Sequence, residues 1–113
     1  MVDPPKQISR PEEQVLLAVH KLQKYAYSLS IKKHLEEITS KNWSLGAVYD
    51  PLDRLEKKGM LDSFVSEPTK ERGGRGKRIY KLTPYGIKAL VEIKKISEVM
   101  WKGVTKVSLE NKH

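Results

Sequence analysis

The stretch SLGAVYDPLDRLEKKGML, residues 44–61, determines how the rest of the chain is interpreted. Ser44 is a favourable helix N-cap, and Gly59 after two lysines is a typical helix end. Between them, apolar residues recur at steps of three and four, which is the spacing of one helix face. These residues are Leu45, Val48, Leu52 and Leu55. The pattern predicts a helix from Ser44 to about Lys58.

Pro51 lies in the middle of this helix. It removes one backbone hydrogen bond and should kink the helix at a cost of about 3 kcal/mol. An alternative is a shorter helix capped by Asp50, with Pro51 in its first position and a separate turn over residues 44–49.

Two further helices are predicted before residue 44. The first starts at a capping box, Ser9 with Glu12, and continues to about Lys24. Its apolar stripe consists of Val15, Leu16, Ala18, Val19 and Leu22. The second helix is capped by Ser28 or Ser30 and ends near Ser40, and its stripe is Ile31, Leu35 and Ile38. Residues 1–8, with two prolines, are expected to form a flexible extension.

After Gly59, residues 60–67 and 77–82 have the composition of two strands joined by PTKERGGRG. Three glycines in four positions favour a hairpin with a long flexible tip. Thr83 caps a last helix with Pro84 in its first position, and this helix is expected to end around Trp101. The order ααα-ββ-α predicts a mainly α, α+β fold of the winged helix-turn-helix type. We expect a DNA-binding domain over 9–83, a dimerisation helix over 84–107 and a tail over 108–113.

Length and composition restrict the class of protein. With 113 residues, 38% hydrophobic and 32% charged, the chain predicts one globular, soluble domain. Its 22 Lys and Arg against 14 Asp and Glu give a net charge of +8, which favours a polyanionic partner, nucleic acid before an anionic membrane. The absence of cysteine excludes disulfides and thiolate sites. Residues 1–10 resemble neither a secretory signal nor a membrane anchor, so cytoplasmic residence without a membrane is expected.

Catalytic motifs are absent from the sequence. His20, His34 and His113 are too scattered for a metal site. The segment GGRGKR fails the phosphate-loop pattern, because Glu71 replaces the first glycine and Arg78 replaces the hydroxyl residue. We therefore expect no enzyme, no metal and no cofactor.

The positive charge is concentrated in the hairpin. Residues 70–81 contain six basic residues and one acid and supply five of the eight net positive charges. On a glycine-rich tip that can approach a phosphate backbone closely, these residues predict a DNA-binding wing. The candidate wing contacts are Arg72, Arg75, Lys77 and Arg78, and the two first-named are best placed to enter a minor groove.

The third helix offers a second candidate surface. At 100° per residue, the side opposite its apolar stripe carries two small residues, which allow a helix to lie deep in a major groove. The candidate contacts of this helix are Ser44, Gly46, Ala47, Tyr49, Asp50 and Arg54. Together with the basic hairpin, they predict the DNA-binding arrangement of a winged helix-turn-helix protein.

The stretch 44–61, the basic hairpin and KRIYKLTPYGIKAL resemble the PadR family of bacterial transcriptional regulators over about residues 12–90. The most specific parts are the spacing of Gly46, Tyr49, Leu52, Leu55, Glu56 and Gly59, and the block Tyr80, Leu82, Thr83 and Gly86. The chain departs from the family at Ser28, where glycine is frequent, and at Asp50, where proline is frequent. The resemblance implies a homodimer and, in most members, a repressor of palindromic operators.

The last helix predicts self-association independently. Its seam, Gly86, Ala89, Ile93, Ile96, Met100, Gly103 and Val107, follows the heptad spacing. The resemblance adds the first helix of the partner as the surface against which it packs, so the candidate interface residues are Leu16, Val19, Ala89, Ile93, Ile96 and Met100.

Trp101 is a candidate wall for a flat hydrophobic or aromatic effector, since some short members of the family bind such compounds beside a tryptophan of the last helix. Simple interface packing is the alternative interpretation of this residue. For the whole chain, the sequence predicts a homodimeric, sequence-specific regulator of double-stranded DNA. The alternative is a winged-helix module that binds protein or RNA.

Overall fold

A computed structural model describes residues 7–67 and 76–111 and confirms the predicted order of elements. The elements are α1 (Arg10–Leu22), α2 (Ser28–Thr39), α3 (Leu45–Lys57), β1 (Leu61–Val65), β2 (Arg78–Leu82), α4 (Pro84–Trp101) and α5 (Lys106–Glu110). A 3₁₀ turn, Gln23–Tyr25, connects the first two helices. The sequence patterns indicated neither this turn nor α5.

The starts of α1, α3 and α4 follow the predicted caps, whereas the N-cap of α2 is Tyr27 and not Ser28 or Ser30 as predicted. At α1, the Ser9 hydroxyl accepts the N–H of Glu12 while the Glu12 carboxylate accepts the N–H of Ser9, which completes the capping box. At α2, the Ser30 hydroxyl accepts the N–H of Tyr27, so Ser30 closes the first turn of a helix that begins at Ser28. The Ser44 hydroxyl accepts the N–H of Ala47 at 3.1 Å and caps α3.

Helix α3 continues through Pro51, so the alternative of a shorter helix capped by Asp50 is wrong. Proline removes the hydrogen bond that the carbonyl oxygen of Ala47 would otherwise accept. Because Ala47 lies on the exposed face, water can satisfy that oxygen, while the Pro51 ring is buried against the core. Gly59, at φ 79°, ends the segment in the left-handed region, as expected of a helix stop.

The two strands form an antiparallel hairpin in which Leu61 pairs with Leu82 and Val65 with Arg78. The free edge of β2 is also bonded, because the Tyr80 N–H donates to the carbonyl oxygen of Ala26 at 2.8 Å. Ala26 is fully buried in the segment between α1 and α2. The base of the hairpin is therefore part of the domain rather than an appendage.

One hydrophobic core connects the three helices, the hairpin and the start of α4. Its fully buried large side chains are Leu16, Ile31, Leu52, Leu55, Met60, Leu61, Val15 and Val48. Leu16 and Val19 were predicted to contact a partner, but their side chains are 0% and 2% exposed inside their own protomer. The apolar stripe of α1 packs against the other helices of the same domain, and this packing hides both residues.

Helix α4 joins the domain at its first turns. The Thr83 hydroxyl accepts the N–H of Gly86 and donates to the carbonyl oxygen of Gly59. A Cβ at Gly86 would overlap the Met60 carbonyl oxygen, so only glycine fits this crossing.

The outer half of α4 projects from the domain. The helix ends at Trp101 and Gly103 adopts φ 77°, so the expected seam does not continue through Gly103 to Val107. Val107 lies instead in the separate helix α5. Within residues 7–67 and 76–111, no helix combines the length and the hydropathy needed to cross a membrane.

Candidate nucleic-acid interface

The exposed face of α3 carries the small residues that the sequence placed there. Gly46, Ala47 and Asp50 are all exposed, and a Cβ at Gly46 would come no closer than 4.0 Å to the Ser44 hydroxyl. Because the Ser44 hydroxyl caps the helix, its side chain also fixes the first turn. The result is a flat helical face that other molecules can approach closely.

A cleft of about 690 Å³ lies between this helix, the start of α2 and the base of the hairpin. Its wall combines tyrosine, carboxylate and basic side chains. The lining residues are Tyr27, Ser28, Leu29, Tyr49, Asp50, Asp53, Glu56, Lys77, Arg78 and Tyr80. The structure thus brings four of the predicted contacts, from two distant parts of the chain, to one cleft.

Hydrogen bonds and a ring contact hold several of these side chains in place. The hydroxyls of Ser28 and Tyr49 are 3.0 Å apart and form a hydrogen bond between α2 and α3. The Lys77 ammonium lies 3.6 Å from the centre of the Tyr27 ring, within cation–π range. Ser28 was predicted as a possible helix cap and noted as a departure from the family, and its hydroxyl is what gives Tyr49 an intramolecular partner.

Arg78 connects the hairpin to α3 through a serine. Its guanidinium donates to the Ser63 hydroxyl at 2.8 Å, and that hydroxyl donates to the Glu56 carboxylate at 2.7 Å. Burial, together with the negative charge of Glu56, raises the pKa of the neighbouring Tyr80 phenol. The bonds from Arg78 to Ser63 and from Ser63 to Glu56 connect the base of the hairpin to α3.

Arg54 is the remaining predicted contact of α3. It is half exposed, and its Nε lies 3.6 Å from a carboxylate oxygen of Glu12. The predicted wing residues Arg72 and Arg75 lie outside the described residues.

A second surface lies between α1 and the outer half of α4. It is a mainly apolar groove of about 550 Å³ with Trp101 at one end, and its apolar lining is Leu17, Leu82, Ile87, Leu90, Val91 and Trp101. Of the predicted interface residues, Ala89 is buried within the protomer, Ile93 is half-buried, and Ile96 and Met100 are 53% and 73% exposed.

Sequence reasoning missed the apolar residues that are available on α1 and α4. Leu17 is 41% exposed although it is next to the fully buried Leu16. The signal that could have found Leu17 is an apolar residue outside the main stripe of α1. Ile87 and Val91 are likewise apolar residues outside the heptad seam of α4, and both are exposed. These residues, rather than Leu16 and Val19, form the open apolar surface. In the part of the chain that the structure describes, no three His, Cys, Asp or Glu residues form a group that could hold a metal ion.

The third of three packed helices presents an exposed face with small residues, and it lies beside a hairpin that carries lysine and arginine. This arrangement defines a winged helix-turn-helix protein. Residues 15–92 match the Transcriptional regulator PadR-like family. The chain belongs to this family, whose members are generally non-enzymatic regulators that bind DNA.

Solved structures agree with this assignment. A PadR-like transcription factor from Bacteroides fragilis is 28% identical, with a TM-score of 0.69 over 82% of this chain and 84% of that one. A PadR family transcription regulator from Clostridium difficile R20291 is 31% identical, with a TM-score of 0.62 over 86% of this chain and 97% of the other. A PadR family regulator from Eggerthella lenta is 24% identical, with a TM-score of 0.66 over 88% of this chain and 82% of that one, and it shows the shared fold. No curated protein sequence matches the chain.

Proposed function

We propose that the protein is a sequence-specific regulator of transcription, a repressor that binds a palindromic operator in double-stranded DNA as a homodimer. In this role α3 enters the major groove and the hairpin contacts the adjacent backbone. The observation that carries the proposal is the cleft that brings Tyr49 and Asp50 of α3 together with Lys77 and Arg78 of the hairpin. Such a regulator acts in the compartment that holds the DNA, which is the cytoplasm in bacteria.

Within this proposal, the first two turns of α3 read base edges. Gly46 and Ala47 allow close approach, and Asp50 offers an acceptor to a cytosine amino group. Ser44 and Tyr49 lie at the edge of the same face, where hydroxyl groups reach phosphate oxygens. The bond from Ser28 orients the Tyr49 hydroxyl for such a contact.

The hairpin supplies the contacts that do not depend on sequence. Lys77 and Arg78 are held at its base, and Arg72 and Arg75 add two positive charges in the sequence between the two strands. If each protomer neutralises about four phosphates, the logarithm of the affinity of a dimer falls with the logarithm of salt concentration at a slope of roughly −7.

The homodimer is proposed to form through α4. Residues 9–83 then bind DNA and α4 serves association, while the boundary expected between residues 107 and 108 falls inside α5. The exposed Ile96 and Met100, together with the groove beside Leu17, support this assignment because they would be left in water in a monomer. A two-fold dimer places its two recognition helices on half-sites about one helical turn, or a multiple, apart.

Trp101 is proposed to line the site of a flat hydrophobic or aromatic effector. It stands at the end of the apolar groove with its side chain 61% exposed. An indole in that position offers a stacking surface to a planar compound. A second protomer packed over the groove would enclose the compound.

Binding to the DNA upstream of the protein's own gene tests the proposal. We expect the wild-type protein to protect an inverted repeat there, and to prefer that duplex over RNA and over either single strand. Ala47→Glu should abolish this protection with little change in melting temperature, since the position is exposed. The matched control is Glu37→Ala, an exposed change on α2, which should leave protection intact. Equal binding of duplex RNA would contradict the proposal, as would protection that survives Ala47→Glu.

A further inference from the structure

A buried carboxylate lies where the start of α1 meets the end of α3. Glu12 is only 3% exposed, and one of its oxygens accepts a hydrogen bond from the Lys58 ammonium at 2.7 Å. The same oxygen lies 3.6 Å from Arg54 Nε, and the other accepts the N–H of Ser9 at 2.7 Å. One carboxylate therefore faces two cations that belong to the recognition helix and its C-terminal cap.

The charge state of Glu12 follows from these contacts. Burial by itself would raise the pKa of its carboxyl group, but the hydrogen bonds from Lys58 and Ser9 outweigh burial and hold that pKa below its ordinary value. The group is thus negative at neutral pH. Two cations with one buried anion leave a local surplus of one positive charge.

This cluster lies only partly in the segment that matches the family model. The family match begins at residue 15, whereas Glu12 and its capping partner Ser9 lie before it. Arg54 lies within the matched segment, on the helix that is proposed to enter DNA. The group that offsets the charge of Arg54 therefore comes from residues that precede the matched segment.

We infer that Glu12 is an internal counter-ion that withholds the charge of Arg54 from DNA phosphates and so determines specificity. Affinity for DNA of any sequence depends on how many phosphates a protein neutralises, while base contacts distinguish one sequence from another. A recognition helix that carries fewer free cations binds non-operator DNA less tightly. The ratio of operator to non-operator affinity then rises. This inference rests on the proposed function.

Glu12→Gln is the variant that isolates the charge. Glutamine serves at the same position of a capping box, so the bond to the Ser9 N–H is kept. Lys58 is 25% exposed and can turn its ammonium toward water when the carboxylate is gone. The matched control is Glu13→Gln on the same turn of α1, which changes the net charge equally. Glu13 forms no ion pair with any residue that the structure describes.

The probe is a fluorescein-labelled duplex of mixed sequence, titrated at several salt concentrations and read by anisotropy. Circular dichroism and sedimentation verify that each variant is folded and has the same oligomeric state. Glu12→Gln should bind this duplex several-fold more tightly at low salt. For each phosphate gained, the salt slope should steepen by about 0.9. Glu13→Gln should produce a smaller gain in affinity and a smaller change in salt slope. Adding Arg54→Ala to Glu12→Gln should remove the gain in affinity.

Arg54→Ala in the otherwise wild-type protein provides an independent test that needs no change at Glu12. Because Glu12 already offsets part of the charge of Arg54, this variant should lose little non-operator affinity and keep nearly the wild-type salt slope. A flatter slope in Arg54→Ala would overturn the inference. So would Glu12→Gln binding no more tightly than Glu13→Gln. If the wild-type protein binds no duplex at all, the proposed function itself fails, and the counter-ion role fails with it.

Discussion

The two halves of α4 have the same heptad spacing but opposite environments. Gly86 and Ala89 in the first half are buried against Met60 and the core. Ile96, Val99 and Met100 in the second half are 53%, 73% and 73% exposed. The periodicity of a helix thus reports that one face is apolar, but it does not report whether that face is covered by its own domain or by another molecule. Substitutions in the first half should therefore destabilise the domain, and substitutions in the second half should weaken association.

The largest effect is expected in the outer half. Ile96→Asp would bury an unpaired carboxylate between two protomers and weaken their association by about 3–5 kcal/mol. Analytical ultracentrifugation at micromolar concentration should show a folded monomer where the wild type is a dimer. Lys95→Asp adds a carboxylate on the opposite side of the helix and should leave the dimer intact. A wild-type protein that is already monomeric would refute the role given to this half.

In the first half, Gly86→Ala should destabilise the domain itself. The added Cβ would overlap a backbone carbonyl oxygen, which no change of rotamer relieves, so a loss of about 1–3 kcal/mol or more is expected. Gly46→Ala makes the same chemical change on the open face of α3, where higher helix propensity should raise stability by up to about 1 kcal/mol. Urea denaturation of both variants measures the difference. Equal stabilities would show that the crossing of α4 over Met60 is looser than described.

The pH dependence of stability should depend on the buried carboxylate of Glu12 on α1. The folded domain holds the pKa of Glu12 below its ordinary value of about 4.5, so the carboxylate stabilises the domain above that pH. This contribution should be lost as the pH falls through the lowered pKa of the folded state. The stability advantage of the wild type over Glu12→Gln should therefore be constant near neutrality and shrink below about pH 4.5. Denaturation curves from pH 3 to 7 provide the check, and an advantage unchanged at pH 3 would contradict this account.

The smallest effect on structure is expected at the end of α4. Trp101→Ala should leave dimerisation and DNA binding nearly unchanged, since the seam residues of α4 and the exposed face of α3 are intact, while abolishing any response to a planar hydrophobic effector. Fluorescence titration with aromatic dyes measures this in a Trp43→Phe background, which removes the other indole. If no dye quenches Trp101, the effector site is not there.

Local signals in the sequence were sufficient for most of the fold. Capping residues and apolar spacing predicted the starts of α1, α3 and α4 to within a residue, because those signals act within one turn. The path through Pro51 required knowing that Ala47 faces solvent, which depends on the packing of the whole domain. The burial of Leu16 and Val19 within their own protomer was missed for the same reason, although both were predicted to contact a partner. Leu16 and Leu17 are chemically identical, and only the arrangement of the other helices decides which one is buried.

The residues of the candidate DNA-binding site could be predicted from the sequence, but the contacts that position their side chains could not. The sequence indicated Lys77, Arg78 and Arg54 as cations near DNA, since the charges are local in the chain. It did not indicate that Tyr27, Ser63 and Glu12 contact these cations. The partners come from the start of α2, from β1 and from α1, which are distant in sequence from the cations. Contacts between residues that are distant in sequence determine what each cation can still reach.

The hydrogen bond between Tyr80 and Ala26 gives β2 a partner on both edges. The amide proton of Tyr80 is therefore bonded across the outer edge of β2 to a fully buried residue, in a residue that is itself buried. It can exchange with deuterium only when β2 separates from the segment between α1 and α2. Its exchange rate under native conditions would thus report the free energy of that opening from a single resonance, without any denaturant.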